Sequence, residues 1–117
     1  MSKRTPAILI VEDLLNESRF ATGYARGKFR IKQWGRQKII QGLKQRQISE
    51  YCIRQAMEEI PREDYEKTAH KLAKAKWTSV KGIGINRFVK MAKTRNYMLQ
   101  KGYEAALISK IINQISN

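Results

Sequence analysis

The chain has almost none of the residues that carry out chemistry. Its single cysteine, Cys52, excludes an internal disulfide and a thiolate metal cluster, and fits a reducing compartment. Cys52 lies beside an apolar stripe and reads as a small core residue rather than a reactive thiol. The one histidine, His70, has no second histidine, serine elbow or acid pair near it, so it reads as a surface residue. Glu58-Glu59 and Glu63-Asp64 stand at helix ends, where capping and solubility account for them. Gly82-Ile83-Gly84 lacks the following Gly-Lys-Ser/Thr of a phosphate loop. These absences leave no footing for an enzyme, a cofactor or a metal, and a nuclease would need a carboxylate cluster. No apolar run approaches the roughly 20 residues of a membrane span. At the N-terminus the short AILIV run meets Glu12-Asp13 at once and no cleavage-like site follows. A signal peptide is therefore not expected, and the cytoplasm is.

Acid is scarce as well. Ten Asp and Glu stand against 24 Lys and Arg in 117 residues, a formal charge of +14. A charge of that size repels itself in a compact body and calls for an anionic partner, nucleic acid first and an anionic membrane second. The charge is blocked rather than scattered. Residues 18–46 hold nine basic side chains and no acid, 50–66 hold six of the ten acids, and 67–101 hold ten basic side chains and no acid. Lys44, Lys67 and Lys110 read as ordinary solvated lysines, whereas the group from Arg26 to Lys38 is expected on an anionic partner.

What is present is helical periodicity. Residues 1–6 read as a disordered lead-in and 7–15 as the last turns of a helix. Asn16 is placed as an N-cap, opening a long helix over 17–33 with Phe20, Tyr24, Gly27 and Ile31 on one apolar face. Gly23 and Gly27 are expected to permit close helix packing. Phe29, off that stripe and between Arg26 and Arg30, either stacks on an exposed base or packs, and packing is preferred. Trp34-Gly35 breaks the pattern, and Trp34 and Trp77 are read as core plugs. Further helices follow from Arg36 with Ile39, Ile40 and Leu43 inward, from Ser49 as a cap with Ile53, Ala56, Met57 and Ile60 inward, and after Pro61 with Tyr65, Ala69, Leu72 and Ala73. Residues 78–85, TSVKGIGI, form a loop. Asn86 then caps a fifth helix with Phe88, Met91, Arg95 and Met98 inward, Gly102 stops it, and a sixth begins near Tyr103.

A shift of 55 residues carries Leu43, Ile48, Ile53, Ala56, Met57 and Ile60 onto Met98, Tyr103, Ile108, Ile111, Ile112 and Ile115, and Gln47 onto Gly102. The expected architecture is all-α: a lead-in over 1–15 and two tandem three-helix, helix-turn-helix-like repeats over 16–60 and 61–117. Each is too small to bury its own face, so they stack into an elongated, curved body.

LNESRFATGYARGKFR at 15–30, WGRQKIIQGLKQRQIS at 34–49, IRQAM at 53–57, KLAKAKW at 71–77 and YMLQKGYEAALISKII at 97–112 resemble the RecX family of bacterial recombination regulators. The first half is the more specific. The resemblance implies a monomeric, non-enzymatic inhibitor in DNA repair and the SOS response. It would lie in the groove of the RecA–single-stranded DNA filament, with duplex DNA as a further partner, and block the ATPase, strand exchange and co-protease functions of RecA. The residues it assigns to contact are Arg19, Arg26, Lys28, Arg30, Arg36 and Lys38, with Lys90, Lys93 and Arg95 in the second unit. It also implies a further repeat before residue 15, of which 7–15 would be a remnant. Without that repeat Ile8, Leu9, Ile10 or Phe29 would be exposed. The competing reading is a helix-turn-helix module on duplex DNA, with Arg36, Gln37 and Gln41 at base edges.

Overall fold

The computed structural model describes residues 5–117, which form six helices and, among them, no strand. Helix α1 spans Pro6–Arg30, α2 Arg36–Gln45, α3 Glu50–Glu58, α4 Arg62–Ser79, α5 Arg87–Lys101 and α6 Ala105–Ile115. The first four residues of the expected lead-in lie outside the described residues. Thr5 and Pro6, placed in that lead-in, instead start α1. The Thr5 hydroxyl accepts the Ile8 N–H at 3.2 Å, and Pro6 follows at the first helical position, where its missing N–H costs nothing. Residues 7–15 are therefore the first turns of α1. Asn16 lies inside the helix and caps nothing, because the helix had already opened at the Thr5 cap, eleven residues earlier.

The inward face of α1 also differs from expectation. Ala21, Ala25 and Phe29 are buried, whereas Phe20 is 47% and Ile31 79% exposed. Helix α3 lies close along α1 and brings Cys52, Ile53 and Ala56 inward, and alanines admit that approach better than Phe20 would. Gly23 and Gly27 have open space where a Cβ would be and so face outward. Cys52 is fully buried, and its thiol donates to the Leu14 carbonyl at 3.8 Å. Phe29 packs, with its ring centroid 5.9 Å from that of Tyr65. In α5, Thr94 and Met98 point inward, while Phe88 is 83% exposed and Arg95 is exposed. Met91 packs partly against the core, so the expected face holds at Met91 and Met98, with Thr94 inward in place of Arg95.

The repeat is visible in the turns. Gln47 and Gly102, related by the shift of 55, are both left-handed, with φ of 60° and 99°. At each, the residue itself bonds back three positions and the next residue bonds back five: Gln47 to Lys44 and Ile48 to Leu43, Gly102 to Leu99 and Tyr103 to Met98. Ser49 and Glu104, also 55 apart, occupy the following N-cap positions. Helices α1, α2 and α3 pack on one another, as do α4, α5 and α6, and one continuous buried cluster runs through both groups.

The body measures 72 × 24 × 21 Å, with a radius of gyration of 18.7 Å against about 13 Å for a compact chain of this length. Helix α1, roughly 37 Å long, exceeds both narrow dimensions and so extends along the long axis. Helices α1 and α4 touch through Phe29 and Tyr65. No helix among the described residues is long and apolar enough to cross a membrane.

Candidate nucleic-acid interface

The two helix groups meet turn against turn. The Gly35 N–H donates to the Lys101 carbonyl at 2.7 Å and the Gln37 N–H to the Gly102 carbonyl at 2.9 Å. A Cβ on Gly35 would stand 2.3 Å from the Gly102 carbonyl carbon, so the two backbones touch directly. Tyr65 and Tyr103 sit beneath, ring centroids 5.2 Å apart, and the Tyr103 hydroxyl donates to the Gln33 carbonyl at 2.9 Å. The Tyr65 hydroxyl accepts the Arg36 N–H at 2.9 Å and donates to the Glu104 carboxylate. Burial, then the bond to Glu104, pushes the Tyr65 phenol far above its ordinary range, and burial does the same to Tyr103, aided by Glu104. Arg36 completes this set. Its guanidinium lies 3.8 Å over the Tyr65 ring and pairs with Glu104 at 3.1 Å. Much of its charge is thus spent inside the junction.

On the surface of the same junction, lysines gather round an indole. Lys28, from α1, and Lys38, from α2, place their ammonium groups 4.7 and 4.5 Å from the centre of the Trp34 ring. Trp34 is half-buried and packs against the core cluster, as expected of it, while its ring also serves as a platform for these lysines. Lys101, at the end of α5, reaches across to the Lys32 carbonyl at 2.7 Å. Burial, then the nearby Lys38 and Lys32 charges, lowers its pKa. None of Lys28, Lys32, Lys38 and Lys101 forms an ion pair among the described residues. Lys32 and Lys101 were not among the expected contact residues. Their adjacency to Trp34 and Gly102 was legible, but the meeting of the two turns was not.

The remaining expected residues are dispersed. Arg26 pairs with Glu59 at 3.0 Å, while Arg19, Arg30 and Lys93 are exposed. Arg95 donates to the Ser109 hydroxyl at 3.3 Å and lines an open apolar groove of about 270 Å³ with Phe88, Met91 and Ile112. Lys90 lies 5.0 Å over Trp77, which like Trp34 is half-buried, and Lys76 lies 5.2 Å over Tyr97. The second group thus carries its own lysine–aromatic pairs. His70 is half-buried beside Glu66 and Lys110. Among the described residues no three His, Cys, Asp or Glu side chains are placed to hold a metal.

The sequence profile of the second three-helix domain of RecX matches residues 16–57. Two curated relatives, each named regulatory protein RecX, come from Clostridium perfringens strain 13 / Type A and strain SM101 / Type A. Each is 30% identical to this chain over 115 residues, covering 98% of it and 53% of the relative. The chain therefore spans about half the length of the curated relatives it matches. No solved structure matches it.

Proposed function

We propose that this chain, which belongs to the RecX family through residues 16–57, is a non-enzymatic negative regulator of RecA. It binds the RecA filament on single-stranded DNA, as a monomer in the cytoplasm, and lowers its ATPase, strand exchange and co-protease functions. Residues 16–60 and 61–117 act as two repeats of one binding surface. The observation that carries the reading is the run of unneutralised cations along one elongated body, densest where Lys28 and Lys38 share Trp34. Such a surface follows a polyanion by charge rather than by sequence. Base-edge reading from α2 is disfavoured, since Arg36 is held by Tyr65 and Glu104.

The test is the single-stranded-DNA-dependent ATPase of RecA as this protein is titrated in, with bare-DNA binding measured at the same salt. Inhibition is expected well below the concentration that coats the DNA. Full ATPase activity at concentrations where the DNA is already coated would overturn the filament reading.

A further inference from the structure

We propose that the junction between the two helix groups is a phosphate clamp, in which the ammonium groups of Lys28, Lys32, Lys38 and Lys101 around Trp34 take the backbone of one nucleic-acid strand and thereby tie the two groups together. The ligand class rests on the function proposed above; the position and the tying are independent of it.

The four lysines come from three places in the chain and from both groups: Lys28 and Lys32 from the end of α1 and the turn after it, Lys38 from α2, and Lys101 from α5. Two of their charges share one indole, and a third sits close enough to two others to be perturbed by them. The ring quadrupole accounts for the first two. It does not account for Lys101, which is partly desolvated among like charges. The fold sets acids against other cations, Glu59 on the exposed Arg26 and Glu104 on the half-buried Arg36 inside the junction. At Trp34 it sets none, and the charge is left for a ligand.

The chemistry selects phosphate. Carboxylates are matched best by the planar fork of arginine, whereas lysine acts as a point charge and suits phosphate oxygens approached from several sides. Four such charges around one spot fit closely spaced phosphates along a strand. Lys28 and Lys38 already occupy the Trp34 ring, so recognition falls on the backbone and not on stacked bases. Because Lys101 belongs to the second group and the other three to the first, a strand bound here bridges them.

The test follows Trp34 fluorescence in the full chain carrying Trp77→Phe. It is titrated with a twelve-residue oligothymidylate, with an abasic strand of the same length, and with a polyglutamate peptide of matched charge. Both strands are expected to bind alike and to raise the melting temperature, and polyglutamate to bind more weakly. Lys32→Gln and Lys101→Gln, checked for folding by circular dichroism, should each lower strand affinity about fivefold at 0.1 M salt. Each should also reduce the salt slope by about 0.7, the counterion share of one contact on a single strand. Lys67→Gln, an exposed lysine on α4 outside the four, should change neither. Unaltered affinity and slope in the Lys32→Gln/Lys101→Gln double variant would overturn the clamp, and so would polyglutamate binding as tightly as the strands. If the clamp variants lose strand binding while the parent fails to inhibit RecA, the site stands and the filament does not. If the parent inhibits RecA and the double variant binds strands as before, the filament stands and the clamp does not.

Discussion

Single residues decide how well this body holds together. Thr94 is fully buried, and its hydroxyl finds no partner among the described residues. Thr94→Val keeps the shape and removes the unmet hydrogen bond, so it should raise unfolding stability by about 1 kcal/mol in urea titration. Tyr65 is the opposite case. Its hydroxyl both satisfies the Arg36 N–H and holds Glu104, so Tyr65→Phe leaves a backbone donor unmet and should cost about 1–3 kcal/mol by the same measurement. Neither role can be read from composition. Thr94 sits between basic residues, and Tyr65 was placed inward from its spacing but with no hint of what its oxygen would do.

At the scale of the element, period and cap carried most of the information. Ser49 does accept the Cys52 N–H, Asn86 the Val89 N–H, and Gly102 does end α5 in a left-handed turn, each as its residue type implied. Helix α1 was misread for a physical reason. Its large apolar residues Phe20 and Ile31 define one face, but close packing on α3 selects small residues, and Ala21 and Ala25 carry little weight in any apolar count. The basic face was legible as a charge block. Its focus at Trp34 was not, because Lys101 joins it only through the fold. The first turns of α1 leave Ile8, Leu9, Ile10 and Val11 between 45% and 67% exposed, as expected for the first three of these, while Phe29 is covered. Ile10→Glu should therefore shift stability by less than about 0.5 kcal/mol. It should also lower the fluorescence of a bound hydrophobic dye, which reads exposed apolar surface. Thr5→Ala removes the cap, and should fray that end with a loss of about 1 kcal/mol of helix stability, visible as faster amide exchange over the first turns.

The whole molecule is two helix groups that share one core and meet backbone against backbone at Gly35 and Gly102. No side chain stands between Gly35 and Gly102, and a methyl at Gly102 would meet the Lys38 Cβ at 2.4 Å as well as a left-handed φ. Gly35→Ala should cost about 1–3 kcal/mol through overpacking, read by thermal unfolding. It should also change the radius of gyration from 18.7 Å, read by small-angle scattering. The joint also works as a lever. Prising it open by about 1 Å across one helix width, about 10 Å, tilts one arm against the other by about a tenth of a radian. At the far end of α1, roughly 37 Å away, that becomes a swing of about 4 Å, more than one hydrogen bond is long. The pivot thus magnifies displacement nearly fourfold, and its closest contact is made by two residues that have no side chains.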